Sequence, residues 1–220
     1  MTRDDGHPSA SKRRPSPDEG APSEALVRRA LETHERAQTE SVDGPARGVD
    51  YLACIAELHR RGSRLEFELA RDLIEEGGVA TLVACNVLAQ LGTRERRPDG
   101  AWPFRDESVP LVAPLLDHEN ADIRAAAVSA LGWLGMEGVE SRVLALAEDS
   151  SEDVRFSVAC ALQARDDDES LRTLVRLSAD PDDDVRDWAT FGLGSQTERD
   201  EPWIRDALVA RLDDSCVDAA

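Results

Sequence analysis

The chain has 220 residues, of which 41% are hydrophobic and only 4% are aromatic, with 45 acidic against 26 basic side chains. This hydrophobic content can bury a continuous core, which excludes a wholly disordered protein. The formal net charge of −19 repels a polyanion and disfavours nucleic acid as a partner. No apolar run approaches the about 18 residues of a membrane span, so we expect no membrane contact and a cytoplasmic location.

The N-terminal region divides into a polar tail and two helices. Residues 1–20 contain Pro, Ser, Asp and Gly without apolar residues at helical spacing, which predicts a disordered tail. From Ser23 to about Thr39 apolar residues recur at helical spacing, and a second helix is predicted near 46–61. The helical region is predicted to continue over 21–220.

A helical hairpin is predicted near 63–92. The run Ser63-Arg-Leu-Glu66 is a capping box, in which two side chains satisfy free backbone amides at the start of a helix. Gly77 and Gly78 end that helix, and Gly92 ends its partner, because glycine tolerates the left-handed backbone of helix ends.

An inserted loop is predicted over 92–106. It carries a local cluster of cationic and aromatic residues in an otherwise acidic chain, namely Arg94, Arg96, Arg97, Trp102 and Arg105. Such a cluster is a candidate contact for an acidic partner. An ordinary loop with a packed tryptophan is the equally weighted alternative.

Beyond the loop the sequence repeats. Ile123-Arg124, Val154-Arg155 and Val185-Arg186 follow one another at a spacing of 31 residues, and small or apolar residues at matching helical positions follow each pair. Units are predicted near 107–135, 137–165 and 168–196, with an incomplete unit at 200–220. A single helical pair cannot cover its own apolar face, so the pairs must stack into an all-α solenoid.

The run from Asp184 to Gly194 resembles the short bacterial HEAT-like repeat, including the kind named after phycobilin lyase subunits, and the resemblance extends over roughly 64–220. It implies a right-handed α-α superhelix. The family includes adaptors, chromophore lyases and DNA-lesion binders, so the resemblance implies a fold more strongly than a function.

The same resemblance implies a structural ladder of loop aspartates and helix arginines between neighbouring units. Asp149 with Arg155 and Asp180 with Arg186 fit those positions, and Asp117 with Arg124 fits with one extra residue. The alternative is that the repeated arginines form an anion-binding track.

No catalytic, cofactor-binding or metal-binding residue is predicted. His34-Glu35 and His118-Glu119 invite comparison with the HEAT-repeat enzyme deoxyhypusine hydroxylase, but four such pairs are expected there. The acidic runs 166–168 and 182–184 lack the glycine and distal glutamate of an EF-hand and are interpreted as helix N-terminal charges. The four cysteines lack metal-binding spacing, although a Cys–His site assembled in space stays open.

Helical geometry leaves one face of each second helix outside the shared core. The predicted lining of this face is Leu82, Asn86, Val128, Ser129, Phe156, Cys160, Gln163, Asp187, Thr190 and Phe191. Small and aromatic residues bordered by acidic loops are typical of a groove that accepts a basic or amphipathic helix of another protein.

We therefore expect a non-catalytic scaffold, monomeric or weakly self-associating. The alternatives are a lyase subunit, a DNA-lesion binder, and a face that N-terminal helices or a further C-terminal repeat cover.

Overall fold

A computed structural model describes residues 20–39, 46–92, 103–163 and 165–212, and all regular structure in these ranges is helical. The helices are α1 (Ser23–Thr39), α2 (Ala46–Arg61), α3 (Arg64–Glu76), α4 (Val79–Ala89), α5 (Arg105–Val112), α6 (Ala121–Leu134), α7 (Glu140–Ala145), α8 (Glu152–Ala161), α9 (Asp168–Leu177), α10 (Asp183–Ser195) and α11 (Pro202–Val209). Short 3₁₀ segments, Ala113–Asp117 and Leu146–Glu148, continue α5 and α7. The predicted tail 1–20 lies outside the described residues except for Gly20.

Consecutive helices pair as antiparallel hairpins, and the hairpins stack into an α solenoid. We call α2, α4, α6, α8 and α10 the second helices, because each follows the first helix of its pair. The second helices lie side by side, with α6 packed between α4 and α8, and α8 between α6 and α10. A single hydrophobic core runs through the stack and includes the fully buried Leu58, Leu88, Leu131 and Leu162. Burial of each such side chain contributes about 1.5–3 kcal/mol to the free energy of folding.

The N-terminal hairpin is fixed to the stack by buried polar groups. The predicted capping box is confirmed, with the Ser63 amide donating to the Glu66 carboxylate at 2.9 Å. The same carboxylate accepts a hydrogen bond from the Ser23 hydroxyl, which lies at the start of α1. Burial raises the pKa of Glu66, but the hydrogen bonds from Ser23 and Ser63 outweigh that effect and lower it below its ordinary value. The hairpin α1–α2 is therefore a further layer of the stack.

The start of α5 is held against α3 and α6. The Phe104 ring stacks on Phe67 at 5.2 Å between ring centroids, and the Arg64 guanidinium lies 4.7 Å from the Phe104 centroid. Arg105 donates to the Leu134 carbonyl at the end of α6 and to the Glu137 carboxylate. Arg105 thus lies at the start of α5 and its guanidinium caps α6 of its own chain, while its role as a contact for a partner stays a prediction.

The other residues of that predicted contact, Arg94, Arg96, Arg97 and Trp102, lie outside the described residues. The described residues on either side of this segment lie close together, since a Cβ placed on Gly92 would lie 2.9 Å from Pro103.

The acidic runs cap helices, as predicted. Asp167 accepts a hydrogen bond from the Ser170 amide at 2.9 Å at the start of α9. Asp182 accepts one from the Val185 amide at 3.0 Å at the start of α10. A negative side chain at a helix N-terminus also interacts favourably with the helix dipole.

Candidate protein-binding surface

Two arginines of the second helices form bidentate ion pairs with aspartates of the following unit. Arg124 donates to both carboxylate oxygens of Asp149 at 2.8 Å, and Arg155 donates to those of Asp180 at 2.8 and 2.9 Å. All four side chains are at most 15% exposed. These contacts cross the junction between neighbouring units, and we call them the ion-pair ladder.

Each arginine of the repeat also bonds to its own loop. Arg124, Arg155 and Arg186 donate from Nη1 to the carbonyls of His118, Asp149 and Asp180, which lie six residues before them, at 2.8–2.9 Å. The guanidinium donors are thus engaged within the protein. A track of arginines available to an external anion has no support in this geometry.

The structure corrects the predicted place of Asp117 in the ladder. Asp117 is 79% exposed and accepts a hydrogen bond from Arg142 at 2.7 Å on the surface. The position equivalent to Asp149 and Asp180 is filled by His118, which accepts from the amide two residues ahead, as the two aspartates do. The spacing of 31 residues runs through 118, 149 and 180, so the extra residue assumed at 117 was a register error.

The residues predicted to line a partner-binding groove belong to the side of the second helices opposite the ion-pair ladder. Only some of them are exposed. Leu82 and Val128 are buried, which corrects their placement on this face. Helices α4, α6 and α8 each pack against second helices on both sides as well as against the first-helix layer, so their exposed stripe is narrower than one helix face in isolation would give. Asp187 and Thr190 are half-buried on α10, and the Thr190 hydroxyl donates to the Arg186 carbonyl.

Of the remaining predicted residues, Ser129, Cys160 and Gln163 line a groove of about 410 Å³ across α6, α8 and α10, which we call the C-terminal groove. Its lining is Ser129, Gly132, Trp133, Cys160, Ala161, Gln163 and Trp188. The floor is shallow because α6 and α8 approach closely, so that a Cβ on Gly132 would lie only 2.9 Å from the Ala161 Cβ. Two tryptophans thus stand beside a floor of small residues.

Aromatic side chains surround this groove. Trp188 contacts Phe156 and Phe191 edge-to-face, with ring centroids 6.0 and 5.7 Å apart. Trp133, Phe191 and Trp188 are 58%, 42% and 39% exposed, unusually high values for large apolar side chains. Trp133 was not among the residues predicted to line the face, and the spacing of 31 residues places Trp188 at the position of Ala126 and Ser157 in the preceding units. Exposed apolar clusters of this kind are typical of interaction surfaces.

A second groove of about 310 Å³ lies across α2, α4 and α6, and we call it the N-terminal groove. Its lining is Tyr51, Leu52, Ile55, Ala56, His59, Asn86, Ala89, Gln90, Ser129, Ala130 and Trp133. Ser129 and Trp133 line both grooves, so the two are adjacent along the stack. Helix α2 forms a wall of this surface, and α1–α2 therefore does not cover it. Together, the two grooves and the Phe156, Trp188 and Phe191 cluster form what we call the second-helix face.

The titratable groups of this face do not form a nucleophilic site. Burial raises the pKa of the Cys160 thiol to about 11, so it stays protonated at neutral pH. Burial also lowers the pKa of His59, whose Nε2 lies 2.7 Å from the Asn86 carbonyl and donates to it. Cys160 and His59 line different grooves. In the described ranges, no three His, Cys, Asp or Glu residues are grouped as metal ligands.

The comparisons with known proteins agree with this architecture. Residues 108–194 match the family model for HEAT repeats. The crystal structure of YibA from Escherichia coli is similar over 96% of this chain and 74% of its own, with 19% identity and a TM-score of 0.63. The chain has the fold of a HEAT-like repeat protein.

A designed armadillo repeat protein in complex with the peptide (KR)4 is also similar, over 90% of this chain and 95% of its own, with 15% identity and a TM-score of 0.52. At these identities the two structures show the fold alone. No curated protein matches the chain. Among the described helices, none combines the length and apolar character that crossing a membrane requires.

Proposed function

We propose that this protein is a non-catalytic scaffold that holds a basic or amphipathic helical segment of another protein on its second-helix face. The observation that carries the proposal is the exposure of Trp133, Trp188 and Phe191 beside the C-terminal groove. Exposed aromatic side chains around a groove are the usual anchors of protein recognition. Their burial by a partner would remove apolar surface from water.

The charge of the face supports a basic partner. Among the described residues, neither groove is lined by Lys or Arg, and the whole chain carries a net charge of −19. Asp184 and Asp187 each precede an exposed aromatic residue of α10, Trp188 and Phe191, by four positions, which places them on the same side of the helix. A peptide with cationic side chains beside apolar ones is complementary to this arrangement.

The fold also supports a peptide-binding role. The designed armadillo repeat protein was solved with the basic peptide (KR)4, and HEAT-like and armadillo repeat folds present extended surfaces made of successive helices. The lyase and DNA-lesion alternatives have no specific observation in their favour. The described lining of the grooves offers no cation for a nucleic-acid backbone, and the Cys160 thiol is held protonated.

Affinity capture from the native host with a double variant, Trp133→Asp with Phe191→Asp, tests the proposal. Both side chains are exposed, so the variant should keep its helical circular dichroism and lose the specific partner that the unmodified chain recovers. Leu65→Asp is the matched control. Leu65 is 48% exposed in the first turn of α3, away from both grooves, where an added carboxylate is tolerated. Equal recovery of every protein by all three chains would overturn the proposal.

A further inference from the structure

The two grooves are separated by a fixed distance. The N-terminal groove is lined by α4 and both its neighbouring second helices, and the C-terminal groove by α8 and both of its neighbours. Their centres are therefore two helix spacings apart. Packed helices lie about 8–10 Å apart, which gives about 16–20 Å between the groove centres.

The polar groups of the face favour a helical occupant over an extended one. An extended peptide leaves its backbone amides and carbonyls to be satisfied by the surface that binds it. Two of the side-chain amides that line the grooves have already used both N–H donors. Asn86 donates to the Tyr51 hydroxyl at 2.8 Å and to the Leu82 carbonyl at 3.1 Å, and Gln163 donates to the Ala159 and Trp188 carbonyls at 3.0 and 2.9 Å. A helix satisfies its own backbone and needs only apolar contact.

Building on the proposed function, we infer that the partner segment is one amphipathic helix that lies across α4, α6 and α8 and carries two apolar anchors about 11 residues apart, one in each groove. At a rise of 1.5 Å per residue, 11 residues cover about 16 Å and make about three turns, so both anchors point the same way. Trp133, which lines both grooves, contacts the helix between its anchors. Cationic side chains at the end of the helix that passes the C-terminal groove are directed towards the exposed Asp184 of α10.

Synthetic peptides test the anchor spacing. One 18-residue peptide of alanine and lysine carries leucines at its fourth and fifteenth positions, and a second, of the same composition, carries them at its fourth and eighth. Fluorescence anisotropy of the labelled peptides with the full chain measures the dissociation constants. We expect the widely spaced peptide to bind about tenfold or more tighter, because its second anchor reaches the other groove at high effective concentration. A third peptide, with proline at the centre of the widely spaced one, should lose that advantage.

Variants assign each anchor to a groove. Leu52→Asp alters only the N-terminal groove, and Trp188→Ala only the C-terminal groove. Each should reduce the widely spaced peptide to the affinity of the closely spaced one, while Leu65→Asp leaves both unchanged. Equal affinities of the two spacings, or full binding of the proline peptide, would overturn this inference but leave the proposed function in place. Absence of binding by every peptide would overturn both.

Discussion

The ion-pair ladder and the second-helix face lie on the same helices, but only the ladder repeats its side chains. Arg124, Arg155 and Arg186 occupy equivalent places on α6, α8 and α10, and each bonds the loop carbonyl six residues before it. On the face, the residues of equivalent register are Ser129, Cys160 and Phe191. The ladder residues repeat because each junction between units has the same geometry. The exposed side chains of the face do not have to form a repeated contact between units, so they can differ from one unit to the next, which is what selective recognition of a partner requires.

The largest effect should follow from breaking the ladder. Asp180→Ala leaves the Arg155 guanidinium buried without its carboxylate, and we expect a loss of about 3–5 kcal/mol in the free energy of unfolding, measured with urea. The control is Asp117→Ala, whose exposed pair with Arg142 should contribute less than about 1 kcal/mol. Similar losses for the two variants would contradict the distinction between buried and surface pairs.

The ladder should also weaken in acid. The hydrogen bond from Arg124 lowers the pKa of Asp149 below its ordinary value of 3.8. A carboxylate with a lowered folded pKa stabilises the protein above its unfolded pKa, and this stabilisation is lost as the pH falls through the folded pKa. The stability advantage of the unmodified chain over Asp149→Asn should therefore be complete at pH 6 and shrink below about pH 4. A constant difference between pH 6 and pH 3 would show that the ion pair is not its source.

A smaller effect is expected at the floor of the C-terminal groove. In Gly132→Ala the added methyl group would lie 2.9 Å from the Ala161 Cβ, and forcing α6 and α8 apart costs about 1–3 kcal/mol. In Gly194→Ala the methyl group meets only Leu208, at 3.6 Å, and alanine gains up to about 1 kcal/mol over glycine in a helix. The two substitutions should thus shift the melting temperature in opposite directions. A stabilised Gly132→Ala chain would mean that the stack adjusts freely at this junction.

The smallest effect is expected at His118, which occupies the ladder position without a carboxylate. His118→Asp restores the side chain found at 149 and 180, and it should change the unfolding free energy by less than about 0.5 kcal/mol, because the loop bond of the residue is kept. A gain above about 1 kcal/mol would mean that a cation of the preceding unit reaches this position. Chemical denaturation of both chains distinguishes the two outcomes.

The fold could be predicted from the sequence because the helical units that build it repeat at a regular spacing. The spacing of 31 residues, the capping box at Ser63 and the bounds of α1 and α2 follow from local rules, and the structure has them. The ladder's register was less accessible, since a histidine stands where an aspartate was sought. The hydrogen bond from the Asn120 amide to His118 shows that the histidine serves the same turn.

Exposure on the second-helix face was harder to predict, because it depends on neighbouring helices as well as on position within one helix. Helical geometry places Val128 on the free face of α6, yet its side chain is buried in the shared core. Trp188 aligns with Ala126 and Ser157. Its ring is too large to be covered at a position that the other units fill with a small side chain. Trp133 lies in the last turn of α6 and has no aromatic counterpart in the other units, so alignment of repeats gave no signal for it.

The ladder ends at His118, and this affects which helices of the stack unfold together. An imidazole offers no carboxylate to an arginine of the preceding unit, so the ladder ties α6, α8 and α10 together and ends at α6. Helices α1–α4 join that block through apolar packing of α4 on α6 and through the Arg64–Glu107 pair. The junction between α4 and α6, which Trp133 spans from the surface, is therefore where we expect the boundary between two cooperative folding units. A partner helix that occupies both grooves would stabilise this boundary and slow amide hydrogen exchange on both sides of it.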